Sequence, residues 1–318
     1  MKIAFHTLGC KVNQYETQAL KEKFLQRGYE LVGEDDFADV YVINTCTVTG
    51  LSDRKSRQFI RRVKKINPDS ITAVIGCYAQ VNPDEAKNIE GVNIVAGTNE
   101  KNKLPDYIEE YAKTKGVDCH IKELGQLTEY EETGIITSMD SRTRAFIKVQ
   151  EGCNKFCSYC IIPYARGTVR SRAKAEIVKE AESLIRQGFK ELVLTGINTA
   201  LYGMEKEFSN AAEGQINYEE QEKVYGIEVI VQALNDLPGD FRIRLGSLEP
   251  NVINSDYAKG LLKYERLCPH LHLSLQSGSD QILKEMNRSY SSNDYLQLVK
   301  MLKEHDAGYG ITTDIIVG

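Results

Sequence analysis

Apolar residues in the first 115 positions fall into short runs separated by longer amphipathic stretches. Short apolar runs bounded by turn-forming residues predict strands, whereas apolar positions three and four residues apart predict helices. The predicted strands are 2–8, 40–44, 71–75 and 92–95, and the predicted helices are 14–27, 52–66, 83–89 and 104–113. Strands that alternate with helices in this way favour a doubly wound parallel sheet of the α/β class.

The alternation of strand-like and helix-like runs fades after residue 115 and resumes near residue 142. We therefore predict a first domain at 1–115, a linker at 116–141 and a second domain at 142–318. Predicted strands of the second domain are 145–150, 191–196, 241–247, 270–276 and 310–317, and its helices are 174–187, 227–237, 251–266 and 280–304. An acidic, non-periodic stretch at 205–223 is a predicted surface excursion. The alternation predicts a partial (β/α) barrel, truncated after its fifth strand, with its chemistry at the carboxyl ends of the strands.

The length of 318 residues agrees with two domains, and 42% hydrophobic residues suit ordinary packed cores. The formal net charge of -5 gives no overall attraction for nucleic acid, so any RNA contact must come from a local cationic patch. The chain begins with a predicted strand rather than an apolar leader, and no run approaches membrane-spanning length. Eight cysteines without an export signal indicate a cytoplasmic protein, because thiolates in that reducing compartment bind metals rather than form disulfides.

Cys153, Cys157 and Cys160 form a C-x3-C-x2-C pattern directly after a predicted strand. Short-spaced thiolates are soft ligands that hold iron–sulfur clusters. A [4Fe–4S] cluster normally takes four cysteines, so three leave one iron open for chemistry. Structural zinc usually has four ligands, and a disulfide framework is typical of small secreted chains. The pattern therefore favours an iron–sulfur cluster.

Three more cysteines, Cys10, Cys46 and Cys77, each follow the carboxyl end of a predicted strand. Ligands bind at that edge of an open α/β sheet, so these cysteines can converge although they are far apart in sequence. Cysteine is also a common buried hydrophobic residue, but its repetition at three strand ends disfavours that explanation. A catalytic zinc with three protein ligands is the competing possibility.

Polar residues follow the predicted strands of the second domain, namely Thr195, Asn198, Ser247, Glu249, Ser274, Gln276 and Ser277. This placement is unusual for core packing and typical of a cofactor pocket, although each residue can instead cap backbone groups. His270 and His272 point to one face of their strand, and we expect the barrel interior or a hydrogen bond there rather than a metal. Cys119, His120 and Cys268 are assigned to no site.

The pattern C-x3-C-x-Y-C, which includes Tyr159, resembles the radical S-adenosylmethionine (SAM) superfamily. The resemblance implies that Cys153, Cys157 and Cys160 hold a catalytic [4Fe–4S] cluster. Its open iron would bind the amino and carboxylate groups of SAM and cleave SAM reductively to a 5′-deoxyadenosyl radical.

The motifs around the first three cysteines resemble the amino-terminal domain of methylthiotransferases. They are T-L-G-C-K-V-N-Q-Y-E at 7–16, N-T-C-T-V at 44–48 and G-C-Y-A-Q at 76–80. The resemblance implies a second [4Fe–4S] cluster, held by Cys10, Cys46 and Cys77, which carries a sulfur that a second SAM methylates. The L-G-C-K-V-N-Q-Y-E version resembles the branch that acts on N6-threonylcarbamoyladenosine beside the tRNA anticodon.

The second domain carries further motifs of that family: L-T-G-I-N at 194–198, L-G-S-L-E-P at 245–250, S-L-Q-S-G-S at 274–279 and D-I-I-V-G at 314–318. By this resemblance, Thr195 and Gly196 meet the amino end of SAM. The other residues expected around SAM are Tyr159, Asn198, Glu249, Ser274 and Gln276. Family members continue with a sixth strand and usually a small carboxyl-terminal β-barrel that binds tRNA, so we expect this chain to be a fragment.

Seven cations and no acid occupy residues 54–65, with apolar residues interleaved. Such a run usually forms a solvated helix face, but one face can pack while the other, with Arg61 and Arg62, contacts RNA phosphates. Four further cations follow the cysteine loop, and we expect them to hold the SAM carboxylate or RNA phosphates. They are Arg166, Arg170, Arg172 and Lys174.

The resemblance therefore implies an enzyme that adds a methylthio group to carbon 2 of N6-threonylcarbamoyladenosine in tRNA, using SAM and two [4Fe–4S] clusters. The expected partners are the tRNA anticodon loop, SAM and an external electron donor such as flavodoxin or ferredoxin, with no membrane. Alternatives within the family are isopentenyladenosine in tRNA and a ribosomal-protein aspartate as substrates. Alternatives outside it are a zinc-dependent RNA-binding scaffold and a ferredoxin-like electron carrier.

Overall fold

The computed structural model describes residues 1–47, 50–116, 118–137, 143–205, 226–250, 252–253 and 255–317. Apart from Glu205, the predicted excursion at 205–223 lies outside these residues. The chain forms two compact units, Met1–Ile136 with Ile161–Gly167 and Thr137–Cys160 with Thr168–Gly318. The first unit thus extends beyond the predicted boundary at 115 and takes in most of the predicted linker. Within the described ranges, no helix is both long and apolar enough to cross a membrane.

The first unit contains a parallel sheet flanked by helices. Its described strands are β1 (Lys2–Thr7), β2 (Glu30–Val32), β3 (Val40–Thr45), β4 (Ile71–Gly76), β5 (Ile94–Ala96) and β6 (Asp118–His120). Its described helices are α1 (Lys11–Gln26), α2 (Gly50–Ile66), α3 (Cys77–Val81), α4 (Pro83–Lys87), α5 (Leu104–Thr114) and α6 (Ile162–Arg166). The strand order β2-β1-β3-β4-β5-β6 starts inside the sheet and extends in both directions. That order confirms the predicted doubly wound sheet.

Alternate residues of the strands pack on opposite faces of this sheet. On one face, Phe5 lies in a buried cluster with Phe24 of α1 and Ile108 of α5. On the other face, Ile43 lies in a second cluster with Ile60 of α2. Because both faces are covered, β3 and β4 are buried along their whole length and rich in apolar residues, which is why the sequence predicts them well.

Two edge strands, β2 and β6, are absent from the sequence-based prediction. Each has only three residues, too few to show a period. Cys119 and His120 lie in β6, and Cys119 pairs with Val95 of β5. The His120 ring stacks on Tyr107 with the ring centroids 3.5 Å apart. These two residues thus belong to the edge of the sheet, within the stretch predicted as a linker.

The second unit again alternates strands and helices. Its described strands are β7 (Arg144–Lys148), β8 (Gln150–Glu151), β9 (Arg170–Ser171), β10 (Glu191–Thr195), β11 (Arg242–Leu245), β12 (Ser247–Leu248), β13 (His270–Leu273) and β14 (Gly310–Thr312). Its described helices are α7 (Lys174–Arg186), α8 (Glu228–Asn235), α9 (Ser255–Leu261), α10 (Asp280–Glu285) and α11 (Ser292–His305). The short antiparallel hairpin of β8 and β9 was not predicted, because two-residue strands have no periodic pattern.

The parallel strands of the second unit follow one another in chain order. β7, β10 and β11 form one parallel sheet, and β12, β13 and β14 form another. Gly246 lies between β11 and β12, where a Cβ atom would meet the Leu194 carbonyl oxygen at 3.0 Å. The run from 242 to 248 thus passes directly from one sheet to the next. Successive parallel neighbours agree with the predicted partial (β/α) barrel.

Glu191 at the start of β10 is the centre of a charged cluster. Its carboxylate lies 2.8 Å from Arg144 Nε, 2.6 Å from Arg242 Nε and 2.8 Å from Arg244 Nε. Burial alone would raise the pKa of Glu191, but hydrogen bonds from Arg244 and Arg242 and the charge of Arg144 lower it to about 2. The cluster joins the first residues of three neighbouring strands.

The two histidines of β13 make the expected hydrogen bonds. His270 Nε2 and His272 Nδ1 each lie 3.0 Å from the Thr312 hydroxyl oxygen on β14. His272 Nε2 also lies 3.2 Å from an Asp314 carboxylate oxygen. These contacts confirm the prediction of hydrogen bonding for this pair.

Candidate functional site

The loop that follows β8 carries Cys153, Cys157 and Cys160 close together. Its backbone is left-handed at Gly152, with φ of 75°, and at Phe156, with φ of 46°. The Cys160 amide donates to the Cys157 carbonyl at 2.9 Å, which closes a tight turn. All three cysteines are half-buried, and the pKa of Cys153 is raised first by burial and further by the nearby Cys157 and Cys160. Local backbone turns thus bring three sulfurs into one neighbourhood.

Residues 286–288, which follow α10, hydrogen-bond to this cysteine loop. The bonds run from the Ser158 amide to the Met286 carbonyl (3.2 Å), from the Asn287 side chain to the Lys155 and Phe156 carbonyls (3.2 and 3.0 Å), and from Arg288 Nη2 to the Tyr159 hydroxyl (2.7 Å). The segment therefore contacts the loop on both sides of Cys157.

Arg288 connects three residues that the sequence places around SAM. Its Nη1 lies 2.8 Å from Glu249 Oε1, and both side chains are less than a tenth exposed. Glu249 Oε2 in turn accepts a hydrogen bond from Asn198 Nδ2 at 2.7 Å. The remaining Asn198 oxygen is buried and has no hydrogen-bond partner within the described chain. Tyr159, Asn198 and Glu249 thus form one network with Arg288, and the network presents an acceptor that a ligand can use.

Gln150 organises the end of β10 beside the cysteine loop. Its Oε1 accepts hydrogen bonds from the backbone amides of residues 197 and 198 at 3.0 and 2.9 Å. Its Nε2 donates to the carbonyls of residues 151 and 152, both at 2.7 Å. A Cβ atom at Gly196 would lie 3.0 Å from both the Gln150 carbonyl oxygen and Oε1, a tight contact that glycine avoids. This places the predicted Gly196 against the strand that leads into the loop.

The other predicted SAM residues lie at the ends of β10 and β13. Thr195 is the buried last residue of β10. The Ser274 carbonyl accepts a hydrogen bond from the Tyr290 hydroxyl at 2.9 Å. Gln276 has a left-handed backbone with φ of 66°, and its amide donates to the Asp314 carbonyl at 2.9 Å. Contact between these side chains and SAM stays a prediction.

Burial disfavours ionisation of two loop thiols, those of Cys153 and Cys157. It raises the pKa of Cys153 to about 12, and it also raises the pKa of Cys157, which the nearby Arg288 guanidinium opposes. Thiols in such a site are protonated at neutral pH unless a bound cation stabilises the thiolates. Three soft sulfur donors beside a guanidinium fit a [4Fe–4S] cluster, whose protein ligands are thiolates.

The first unit collects its cysteines through the sheet. Cys46 and Cys77 directly follow β3 and β4, and Cys10 directly precedes α1. A Cβ atom at Gly9 would meet Cys46 Cβ at 2.8 Å, and one at Gly76 would meet the carbonyl oxygen of the last β3 residue at 2.6 Å. Both glycines have positive φ, so only glycine permits this close passage. These glycines therefore let the chain beside Cys10 and Cys77 pass close to the end of β3, where Cys46 follows; the convergence of the three sulfurs stays a prediction.

A buried charged network lies beside these cysteines. Arg166 Nη1 lies 2.8 Å from Glu16 Oε1, and Lys101 Nζ lies 2.6 Å from Glu16 Oε2. Arg166 Nη2 also donates to Asn13 Oδ1 at 2.6 Å, and all of these side chains are at most 1% exposed. Burial raises the pKa of the Cys77 thiol, whereas the charges of Arg166 and Lys101 act to lower it. The network therefore supplies positive charge next to this thiol.

Two family models match the chain. Residues 147–318 match the radical SAM superfamily, and residues 2–97 match the uncharacterized protein family UPF0004. The chain is 42% identical, over 99% of its length, to the threonylcarbamoyladenosine tRNA methylthiotransferase MtaB of Bacillus subtilis. It is 41% identical, over 100% of its length, to the protein of the same name from Aquifex aeolicus. The chain belongs to the radical SAM methylthiotransferase family. Membership confirms the resemblance that the cysteine motifs suggest.

The chain spans about two thirds of the length of these methylthiotransferases, 66% of the Bacillus protein and 73% of the Aquifex protein. A tRNA-2-methylthio-N(6)-dimethylallyladenosine synthase of Clostridium tetani is 35% identical over 98% of this chain, which covers 66% of that protein. A solved structure of the radical SAM methyltransferase TsrM from Kitasatospora setae aligns with a TM-score of 0.65 at 16% identity, covering 99% of this chain and 67% of that one. The last match concerns the fold alone.

Membership in the methylthiotransferase family does not by itself identify the metal ligands. In the described parts of the chain, no group of three or more His, Cys, Asp or Glu side chains is arranged to hold a metal ion. The structure shows three cysteines in one loop of the second unit, and three cysteines that follow strands of the sheet in the first. The assignment of all six cysteines as cluster ligands therefore stays a prediction.

One prediction about charged residues is wrong. Arg166, Arg170 and Arg172 are at most 1% exposed, so they do not form a surface for RNA phosphates or a free group for the SAM carboxylate. Arg166 and Arg172 each pair with a buried glutamate, and Arg170 donates to a backbone carbonyl. Their side chains instead stabilise the protein interior, because a buried guanidinium needs an acidic partner. Lys174, in contrast, is exposed.

The predicted two-sided character of α2 agrees with the structure. Arg61 and Lys65 lie seven and eleven positions after Arg54, so all three share one exposed face of the helix. The apolar side packs in the core. Arg57 and Arg62 pair with nearby surface acids. The exposed face of α2 is therefore cationic, with Arg54, Arg61 and Lys65 as the side chains best placed to meet an anionic partner.

Proposed function

We propose that this chain provides the cluster-binding parts of a tRNA methylthiotransferase that adds a methylthio group to carbon 2 of N6-threonylcarbamoyladenosine beside the anticodon. The observation that carries the proposal is the 41–42% identity over the whole chain to relatives named for that reaction. The relative named for dimethylallyladenosine is 35% identical. Two separate sets of three thiols, one in each unit, support a reaction that needs two clusters.

The proposal gives each cysteine set its own cluster: Cys153, Cys157 and Cys160 for the first, and Cys10, Cys46 and Cys77 for the second. When bound, SAM and these [4Fe–4S] clusters supply radical and sulfur-transfer chemistry. Such chemistry is required because no side-chain acid or base can ionise the adenine C2–H bond at neutral pH. The protein's contribution is to bind, orient and shield the reactants.

Around the first of these sets, the polar network provides the binding groups for SAM. Glu249 offers a carboxylate, and Asn198 offers a buried acceptor, for the amino or hydroxyl groups of SAM. Arg288 holds Glu249 in position and contributes a positive charge near Cys157. Because these groups are buried and already hydrogen-bonded to one another, they need little rearrangement when SAM binds.

The same proposal assigns the tRNA contact to the cationic face of α2. Arg54, Arg61 and Lys65 are exposed and are suited to phosphate contacts. A modified base in a loop can be splayed out of its stack, which is how single-stranded RNA is usually recognised. We place the reaction in the cytoplasm, with a flavodoxin or ferredoxin as the external electron donor.

Dimethylallyladenosine in tRNA is the second candidate substrate, supported by the 35% identity to the Clostridium tetani synthase. A ribosomal-protein aspartate is the third. Membership in the radical SAM methylthiotransferases argues against a zinc-dependent RNA-binding scaffold and against a simple electron carrier.

The substrate is tested by mass spectrometry of tRNA nucleosides from a strain that lacks the gene encoding this chain. We expect loss of 2-methylthio-N6-threonylcarbamoyladenosine, accumulation of its unmodified precursor, and recovery of the product when the gene is restored. Restoration with a Cys157→Ala gene serves as the matched control and should leave the precursor unmodified. Loss of the dimethylallyladenosine product instead would favour the second candidate.

A further inference from the structure

The cysteine loop depends on a segment far away in sequence. Residues 286–288 make four hydrogen bonds to residues 155–159, across sequence separations of 129 to 132 residues for the three side-chain bonds. The motif C-x3-C-x2-C gives the positions of the sulfurs along the chain, but not the shape of the loop that joins them. Residues 286–288 contact this loop and restrain its shape.

The loop needs such a restraint because of Phe156. This residue has a left-handed backbone with φ of 46°, which is unfavourable for a bulky L-residue. Its ring is 51% exposed, so burial of the ring provides little compensation for the strain. The Asn287 side chain donates to the Phe156 carbonyl and to the carbonyl before it, at 3.0 and 3.2 Å. These two bonds fix the peptide groups on either side of the strained residue.

Asn287 is itself suited to this contact. It has a left-handed backbone with φ of 57°, a conformation that asparagine tolerates better than most residues. It directly follows Met286, the C-terminal cap of α10, so it lies immediately beyond the end of that helix. The Met286 carbonyl is then free of the helix and accepts the Ser158 amide at 3.2 Å. The end of α10 thus provides three of the four hydrogen bonds, one through Met286 and two through Asn287.

Arg288 extends the contact to the other side of the loop. It donates to the Tyr159 hydroxyl at 2.7 Å, and its guanidinium lies 5.8 Å from the centre of the Tyr159 ring. Its second arm pairs with Glu249 at 2.8 Å. The Arg288 guanidinium therefore connects Tyr159, in the cysteine loop, to Glu249, which directly follows β12.

We propose that Asn287 and Arg288 are positioning residues for the cysteine loop: Asn287 holds the left-handed turn at Phe156, and Arg288 aligns Tyr159 with Glu249. The structure of the loop carries this inference, and its consequence for a cluster rests on the proposed function. Neither residue is a cluster ligand or a reacting group. They act by fixing the loop that presents the three thiols.

The first experiment measures hydrogen–deuterium exchange of the Ser158 and Cys160 amides in the metal-free chain. Asn287→Gly removes the side-chain bonds while keeping a residue that accepts positive φ. We expect exchange at both amides to become about tenfold faster, as loss of two modest hydrogen bonds implies. Lys284→Ala, on the exposed side of α10, is the matched control and should leave the rates unchanged. Equal rates in the wild type and Asn287→Gly would overturn the proposal.

A second variant pair tests the strain directly. Phe156→Asn places a residue that adopts the left-handed region more readily at the strained position. In that background, Asn287→Gly should raise the exchange rates by less than about threefold, because the turn then needs less support. A full tenfold effect in both backgrounds would show that Asn287 does not act through Phe156 and would contradict this part of the inference.

The role of Arg288 is tested with Arg288→Lys, which keeps the charge but cannot bridge Tyr159 and Glu249 in the same way. In anaerobically reconstituted protein we expect the electron paramagnetic resonance spectrum of the reduced cluster, and its change on adding SAM, to differ from the wild type. An unchanged spectrum in both states would overturn the role of Arg288. Absence of any cluster spectrum in the wild type would instead contradict the proposed function, and the exchange experiments would still test the loop.

Discussion

In the first unit, the cysteines at 10, 46 and 77 each follow a strand of one parallel sheet, whereas those at 153, 157 and 160 in the second unit share one loop. The first arrangement uses the whole sheet as a frame, with Gly9 and Gly76 allowing the backbone to pass closely. The second uses two left-handed residues and a turn within the loop. The second unit thus takes its three cysteines from one compact sequence motif, whereas the first unit takes them from three separate strand ends.

The two cysteine sets differ in the interactions that surround them. The first set lies beside a buried ion network in which Glu16 joins Arg166 and Lys101. The second set is restrained by exposed or half-exposed hydrogen bonds from residues 286–288. We therefore expect changes near the first set to affect the stability of its unit, and changes near the second to affect mainly the conformation of the loop.

The largest effects are expected from removing one cysteine of each set. Anaerobically reconstituted wild-type chain should bind about eight iron atoms, and Cys46→Ala or Cys157→Ala about four, since each cubane holds four irons. Cys157→Ala should abolish SAM cleavage, whereas Cys46→Ala should retain cleavage and lose methylthio transfer. Iron analysis and product assays measure both effects.

Cys119→Ala is the matched control, because this exposed cysteine lies on the edge strand β6 and belongs to neither set. It should keep about eight irons and both activities. Methylthio transfer at the wild-type rate by Cys46→Ala would refute the role of the first set as sulfur carrier.

The next largest effect is expected from Glu16→Gln. Glu16, Arg166 and Lys101 are at most 1% exposed, and breaking a buried pair leaves a charge without compensation. We expect the free energy of unfolding of the first unit to fall by about 3 kcal/mol, measured by denaturant titration with probes in that unit. Glu110→Gln on the exposed side of α5 should change it little. If Glu16→Gln lowered the free energy of unfolding no more than Glu110→Gln does, the network would not stabilise the unit.

A smaller effect with a defined pH dependence is expected from Glu191→Gln in the second unit. The folded-state pKa of Glu191 is about 2, below the ordinary value of 4.5, so its ionisation stabilises the folded state above pH 4.5. Glu191→Gln should reduce the free energy of unfolding by about 2 kcal/mol at neutral pH. The difference from the wild type should shrink as the pH falls from 4.5 towards 2.

The exposed pair of Lys190 and Asp240, with its charged atoms 2.9 Å apart, provides the control for this pH series. Asp240→Asn should have no measurable effect on stability, because solvent screens exposed pairs. If the loss caused by Glu191→Gln were constant down to pH 2, the arginine cluster would not be its cause.

The smallest effect is expected from the cationic face of α2. Each of Arg54→Gln, Arg61→Gln and Lys65→Gln should lower the slope of log K against log salt for tRNA binding by about 0.7–0.9, because one released counterion is lost per phosphate contact. Lys300→Gln on the exposed side of α11, in the second unit, should leave the slope unchanged. Equal slopes for all four variants would remove α2 from the RNA-binding surface. Arg62→Gln should have a smaller effect than Arg61→Gln, since Arg62 pairs with Asp35.

The sequence predicts the elements that have a recognisable apolar pattern and the residues that come directly after them. Apolar runs predict β3 and β4, which are buried along their whole length, and β1, whose residues 3–5 are buried. The placement of Cys10, Cys46 and Cys77 follows from the same pattern, since each comes after a predicted strand. Short strands such as β2, β6 and the β8–β9 hairpin escape prediction because two or three residues have no recognisable period.

Partners of charged side chains are the features that the sequence does not predict. Arg166 lies next to the cysteine motif in sequence, yet its partner Glu16 is 150 positions away. Arg288 is 129 positions from Tyr159, and no local pattern marks it as part of the cysteine loop. Glu16 does lie in a quoted methylthiotransferase motif, which was the available indication that it matters. These contacts are seen only in the structure because the partners are far apart in the chain.

The contacts of residues 286–288 also limit how far the cysteine motif can be taken out of its protein. A synthetic peptide copying residues 152–160 would contain every sulfur of the loop but none of the four hydrogen bonds that hold its turn. Such a peptide would sample many shapes, and only a minority of its molecules would offer the three thiols in the arrangement found here. Grafting the motif onto another scaffold therefore calls for transplanting the end of α10 together with it.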